Sequence, residues 1–437
     1  MSASKRSPRF VAALAGTVAL LAGCGLGSTT QPAEVDVSGE VKGTIKFQTM
    51  QLSPTFDEYL KTTVDAFEQA HPGTKVEWTD IPASAAARKI SADAIAGTLP
   101  DVLDLDTGTL APLGRQGLVV DMARSAADLQ SSYVASAWQS FAFADTGAAA
   151  LPWYLNTPVL ISNKAVLGKA GLGSSPDPIG YDELLTRSAQ IAKSAGVAGF
   201  QPTEAGLPTY LFTLGVPLVD AKSTKAVVNT PEAVAFLGKL RDLYRTGGIP
   251  QDSVTAKDRS EIETFSEGKT AYLEAGGSRL KIIKENSPAV FANVKVGKPL
   301  GDATKRTWVV AHGLAVPKAS KNLPTALAFA KFMTSAENQL ALAKVSSVFP
   351  STTASLGDAF FSSGDGAGSD LTTVARGIAA TSLRDGKTLV KPSAVDAEYA
   401  TTLWAAVQPA ILGKASPADA LSDAETKLTK ILQERQK

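Results

Sequence analysis

The chain has 437 residues, with 43 lysines and arginines against 42 aspartates and glutamates and a net charge of +1, so it lacks the basic footprint of a nucleic-acid binder. Hydrophobic residues make up 44%, and the single cysteine, Cys24, excludes an internal disulfide and leaves stability to a packed core, at a length that ordinarily divides into two domains. Two histidines and one cysteine do not supply a zinc constellation, so no metal and no cofactor is expected.

Lys5, Arg6 and Arg9 precede an apolar run from Phe10 to Gly23, the layout of a secretory signal peptide over residues 1–23. That run is shorter than the roughly 20 residues a membrane-spanning helix needs, and no later stretch is apolar for so long. Leu21-Ala22-Gly23-Cys24 resembles the bacterial lipobox. The resemblance implies a lipoprotein whose Cys24 is acylated, palmitate being the expected chain, and which is held on the outer face of the cell membrane. Removal of residues 1–23 takes away three bases and no acid, leaving 40 basic against 42 acidic residues. Residues 24–42 are small, polar and aperiodic, which predicts a flexible tether with a reach of roughly 20–25 Å, and globular structure from Gly43.

Gly43 to Gln48 alternates as a strand does, and Phe56, Leu60, Val64 and Phe67 then share one helical stripe that stops at His71-Pro72-Gly73. Lys75 to Trp78 is a second strand, residues 84–96 a second helix, and Leu99 to Asp106 enters a third strand. This order predicts a parallel sheet with helices on its faces. Later helices are marked by Leu184, Leu185, Ser188, Ile191 and Ala192 on one face, and by Thr230-Pro231, which places a cap before a proline in the first turn. Ala326, Phe329, Ala330 and Met333 form another stripe, and Ser416-Pro417 opens a last helix with a face of Leu421, Ala424, Leu428 and Ile431. Residues 362–370, rich in glycine and serine, read as an exposed loop.

Several stretches occur in an order and spacing that no single one would make specific. They are Phe67-Glu-Gln-Ala-His-Pro-Gly73, Ala96-Gly-Thr-Leu-Pro-Asp-Val102 with Gly114 to Leu118, Leu151-Pro-Trp-Tyr-Leu-Asn156 leading to Asn163, Phe265 to Tyr272, Gly313-Leu-Ala-Val-Pro317, Ala328 to Phe332, and Val348-Phe-Pro-Ser351. Together they resemble the carbohydrate-binding family of ABC-transporter solute-binding proteins that includes maltose-binding protein. The resemblance implies an α/β, two-lobed periplasmic-binding-protein-like fold, each lobe a mostly parallel sheet flanked by helices, with the ligand cleft between them. By the same resemblance lobe 1 covers residues 43–153 and 307–350, and lobe 2 covers residues 154–306 and 351–437. A carbohydrate ligand, an ABC permease and a monomeric state follow as expectations.

In open α/β sheets ligands sit beyond the carboxyl ends of the strands, which singles out Gln48, Gln51, Asp80, Asp104 and Asp106. Sugars need planar acceptors and donors for their hydroxyls and aromatic faces for their C–H surface. Asp104 and Asp106 lie two apart and so point the same way, either accepting from a ligand or capping the next helix. Trp153, Tyr154 and Asn156 lie at the inferred crossover, where Trp153 either stacks on a sugar ring or packs in the core. Glu204, His312 and Phe349 are weaker candidates. Glu274-Ala-Gly-Gly-Ser-Arg279 departs from the aromatic run of maltose-binding protein, putting maltodextrin specificity in doubt. Gly277 and Ser278 would offer backbone amides to an oxygen-rich ligand and Arg279 a guanidinium to phosphate, which keeps a glycerophosphodiester binder open.

A secreted glycoside hydrolase is the rival of another class, but Asp104 and Asp106 are too close in sequence to flank a bond on their own. Ser278-Arg-Leu-Lys281 matches Ser-x-x-Lys at chance level, and Gly268-Lys-Thr270 and Gly386-Lys-Thr388 lack the upstream glycine of a phosphate loop. A binder is therefore expected rather than an enzyme. An adhesin or sensor on the same scaffold also fits the sequence.

Overall fold

The structure, a computed structural model, describes residues 35–143, 147–255, 260–362, 370–385, 388–392 and 394–435. The expected signal peptide and Cys24 lie outside the described residues, as does most of the 362–370 loop.

Strand β1 (Gly43–Met50) pairs in parallel with β2 (Thr74–Ile81) and β3 (Val102–Asp106). Its Ile45 and Phe47 are fully buried. Between β1 and β2 runs α1 (Asp57–Ala70), whose Leu60, Val64 and Phe67 bury the predicted stripe. Asp57 and Glu58 fill its first turn, where they favour the positive end of the helix dipole. Residues 83–96 form α2, which ends where Gly97 takes a left-handed backbone (φ 66°) that a side chain would strain.

The chain then leaves this sheet along β4 (Leu151–Asn156) and enters a second sheet at β5 (Val159–Asn163), flanked by β6 (Tyr272–Ala275) and β7 (Val294–Gly297). A short pair follows between β8 (Thr307–Trp308) and, later in the chain, Thr388–Leu389. The chain rejoins the first sheet along β9 (Val310–Ala315) and, after two helices, adds β10 (Phe349–Pro350) to the same sheet. The first sheet has the order β10-β4-β9-β3-β1-β2.

The expected mostly parallel sheets are corrected here. Among the described residues of these two sheets only β2-β1-β3 is parallel, whereas β9 runs antiparallel to both β3 and β4, β10 antiparallel to β4, and both pairings of the second sheet are antiparallel. Both neighbours of β4, β9 on one side and β10 on the other, run opposite to it. The sheets are mixed, flanked by helices.

Three apolar clusters hold the fold. One surrounds β1, where Phe329 meets Phe47 at 5.1 Å and Phe67 at 5.0 Å between ring centroids in edge-to-face geometry. A second runs from Leu105 on β3 to Leu273 on β6, tying the two sheets together. The third packs helices Pro231–Thr246, Ala397–Ile411 and Pro417–Glu434, and includes Trp404. Thr230 and Ser416 cap two of these helices, Thr230 accepting from Ala233 N at 3.3 Å and Ser416 from Asp419 N at 3.1 Å. At the end of the last helix Leu432, not Ile431, is the buried residue.

The packed body begins before Gly43, contrary to the expected tether boundary. Val37 and Val41 are half-buried against the β1 cluster, and Lys42 exchanges two hydrogen bonds with Thr325, at 2.9 and 2.7 Å.

Candidate functional site

Two groups of side chains gather where the first sheet ends and the crossing strands begin. The first lies at the carboxyl ends of β1 and β2. Gln51, just past β1, adopts a left-handed backbone (φ 58°), unusual for a residue with a side chain, while its N–H still bonds Ile81 O at 2.9 Å. Beside it Asp80 accepts from Thr49 Oγ1 at 2.6 Å and from Leu52 N at 3.0 Å, and Trp78 Nε1 donates to Thr49 Oγ1 at 2.8 Å. Gln51, Ser53, Trp78, Thr79, Asp80 and Pro82 line a depression of about 480 Å³. Gln48 does not reach it openly, being 3% exposed within β1.

The next layer consists of three residues on adjacent strands, Asp104 on β3, His312 on β9 and Tyr154 on β4. His312 Nδ1 lies 3.1 Å from Asp104 Oδ1 and 2.8 Å from the Tyr154 hydroxyl, and the His312 and Tyr154 rings stack at 4.4 Å. Burial opposes protonation of His312, but the charge and hydrogen bond of Asp104 outweigh it and hold the imidazole above its ordinary pKa. Burial, followed by the Asp104 charge, pushes the Tyr154 hydroxyl well above its usual value. The Asp104 side chain is wholly enclosed, and that of His312 is 12% exposed. Of this cluster, His312 retains a surface that a ligand can touch.

Asp106 realises the capping alternative. Its carboxylate accepts from Gly108 N at 2.8 Å and from Thr109 N and Oγ1 at 3.1 and 2.8 Å, closing the start of helix Thr107–Arg115. Trp153 likewise realises the core alternative. It is fully buried, 6.2 Å from Phe47, because successive residues of a strand face opposite sides and Tyr154 takes the other one. Phe349 is also buried, packed on Phe361 at 5.9 Å. Asn156 is half-buried at the end of β4, and Glu204 is exposed, accepting from the Thr401 hydroxyl.

The second group surrounds a cavity of about 390 Å³ between the second sheet and the β8–β9 segment. Glu274, on β6, stands at its wall. The Tyr181 hydroxyl donates to one carboxylate oxygen, Leu300 N to the other at 2.9 Å, and the Trp308 side chain is a further donor. Burial outweighs these hydrogen bonds and pushes the Glu274 carboxyl up to about 7. Tyr210 packs on Tyr181 at 4.6 Å, and Lys391 and Arg279 complete the lining. Burial lowers the pKa of Lys391, offset in part by the charge of Asp106. Arg279 is exposed at the first turn of helix Arg279–Asn286. Ser278 precedes it without a side-chain capping bond, and the backbone of Gly277 lies so close to the next element that a Cβ there would sit 3.0 Å from Ala375 Cβ.

Aromatic rings beside planar acceptors and donors suit a guest with many hydroxyls and some C–H surface. Glu274, Lys391, Tyr181 and Tyr210 were not singled out from the sequence. A lone acid in the apolar run Ala271-Tyr-Leu-Glu274-Ala275 was the available signal for the first, and Lys391 has none. Among the described residues no group of three or more His, Cys, Asp or Glu side chains could hold a metal ion, and no helix is long and apolar enough to cross a membrane.

Bacterial extracellular solute-binding proteins match the chain as a family over residues 51–340. A binding protein of Brucella abortus (strain 2308), so named provisionally, is 25% identical over 315 residues, which cover 69% of this chain and 73% of that one. A Synechococcus sp. MITs9220 structure, provisionally named an oligosaccharide periplasmic-binding protein, superposes with a TM-score of 0.80 at 28% identity, covering 90% of this chain and 99% of its own. The GacH receptor of Streptomyces glaucescens, solved unliganded and with acarbose, gives a TM-score of 0.68 at 23% identity over 90% of this chain and 100% of its own, a likeness of fold.

Proposed function

The chain belongs to the bacterial extracellular solute-binding proteins, receptors that bind without catalysis, and from that premise we propose that it captures a sugar or oligosaccharide between two lobes and delivers it to an ABC import permease. The lobes are residues 43–153 with 307–350, and 154–306 with 351–437. The observation that carries this reading is the cavity at Glu274, where a carboxyl group and the rings of Tyr181, Tyr210 and Trp308 border one space of about 390 Å³. Such a lining matches the alternating hydroxyl and C–H faces of a pyranose. The provisional oligosaccharide assignment of the Synechococcus relative supports the same ligand class.

Capture works by hinge closure. The connections between the sheets run through β4, β9 and β10, so bending there moves one wall against the other. A ligand that touches both walls favours the closed population, which makes affinity and closure thermodynamically linked. Residues 1–23 act as the signal peptide, and acylated Cys24 holds the receptor at the membrane surface where a permease can read the closed form.

The test is a thermal-shift screen of residues 35–437 against mono- and oligosaccharides. Binding to the native state alone raises the midpoint in proportion to ln(1 + [L]/Kd), so a shift with one sugar class is expected. No shift with any sugar would sink the sugar reading while leaving the family membership intact.

A further inference from the structure

Among the described residues, several of the less exposed cations have carboxylate partners. Arg435 reaches Asp396 and Glu398, Arg306 reaches Asp302, Arg187 reaches Glu183, and Lys295 reaches Asp177. Lys391 and Arg279, which line the Glu274 cavity together, have no carboxylate within ion-pair distance among the described residues. Lys391 is half-buried, and a desolvated ammonium without a counter-ion raises the free energy of the empty receptor. The acid that acts on it, Asp106, spends its oxygens on a helix cap.

Two acids line the same cavity, Glu261 and Glu274. Glu274 carries less than a full charge at neutral pH, because burial has moved its pKa to about 7. The lining therefore has an excess of positive charge at and below neutrality. Arg279 adds geometry to that charge, since a planar guanidinium matches a carboxylate or phosphate with two parallel hydrogen bonds, and a lysine serves as a mobile point charge beside it.

We propose that the cavity takes the acidic group of a negatively charged sugar, a carboxylate or a phosphate, between Lys391 and Arg279. The inference rests on the sugar-binding reading and narrows it. The half-buried ammonium gains the counter-ion it lacks, and the remaining sugar ring meets Tyr181, Tyr210 and Trp308. Neutral sugars forgo the ionic contact and bind more weakly.

Calorimetric titration of the chain, residues 35–437, compares glucose with glucuronate and with glucose 6-phosphate, and galactose with galacturonate. The acidic member of a pair is expected to bind at least tenfold more tightly than its neutral counterpart, with the preference shrinking at high salt. The uronate and phosphate arms identify which anion is preferred. Lys391→Met and Arg279→Gln should each reduce the preference about tenfold while leaving the thermal midpoint of the empty receptor within a few degrees of wild type. Arg279 is exposed, so its variant reports even where the lysine variant folds poorly. Equal or tighter binding of the neutral sugars would overturn the inference and leave the sugar reading standing. Binding of neither class would overturn the inference, and the thermal-shift screen with oligosaccharides then decides the sugar reading separately.

Discussion

The first sheet and the Glu274 cavity treat their charged groups in opposite ways. At the ends of β2 and β3, Asp80, Asp104 and Asp106 are each committed to the protein itself, fixing the turn after β1, the His312–Tyr154 cluster and a helix start. In the cavity Lys391 and Arg279 have no carboxylate within ion-pair distance among the described residues, and Glu274 is held away from full ionisation. Strand-end acids here are architecture that shapes a wall, whereas the segments around the second sheet hold the charges still available to a guest. Substitutions should divide the same way, with stability losses on the first side, largest at Asp104, and little loss, or effects on binding, on the second.

The largest effect is expected from Asp104→Ala. It leaves His312 and the buried Tyr154 hydroxyl facing an empty acceptor site, and loss of one partner from a buried charged pair costs about 3–5 kcal/mol. Urea denaturation of the variant measures it, and a loss under about 1 kcal/mol would show that Asp104 is not committed as described.

Glu274 should show itself as a pH slope. Its folded pKa of about 7 lies above the ordinary 4.5, so between those values the native state holds a proton that the unfolded chain has lost. Stability therefore falls as pH rises from about 4.5 to 7, by roughly 2–3 kcal/mol, and levels off above. His312, whose folded pKa is also raised, contributes stability that is full below its ordinary 6.5 and lost as pH rises through the folded value. Both slopes have the same sign, so the comparison to make is wild type against Glu274→Gln, which should flatten the Glu274 share alone. Parallel profiles for the two proteins would contradict the assignment.

Asp106→Ala removes a helix cap and should cost about 1 kcal/mol, seen as a small drop in thermal midpoint. Lys391→Met should do least to the empty receptor, within about 1 kcal/mol and toward greater stability, because it removes an uncompensated half-buried charge. A loss as large as that at Asp104 would erase the contrast between the two regions.

Much of the fold was legible because local periodicity survives packing. Leu60, Val64 and Phe67 bury one stripe as spaced, and the β1-α1-β2 order gives a parallel pair. The antiparallel partners were not legible, since β9 pairs with strands some 150 and 200 residues upstream and nothing local encodes such a register. The site was legible in part. Trp153 and Tyr154 stand out together, but alternation sends them to opposite faces of β4, Trp153 toward Phe47 and Tyr154 onto His312, and composition cannot say which takes which face. Asp106 read equally as ligand acceptor or cap, and the following Gly108 and Thr109 amides decide for the cap. Arg279 was visible as an anion partner, while Lys391, more than a hundred residues away, meets it only once the second sheet is assembled.

The most direct test of capture by closure is small-angle X-ray scattering of the chain with and without the sugar that raises its thermal midpoint. Closure around the ligand predicts a smaller radius of gyration and a changed profile in the bound form. Identical profiles at saturating ligand would contradict it, leaving a receptor that binds its sugar on one rigid wall.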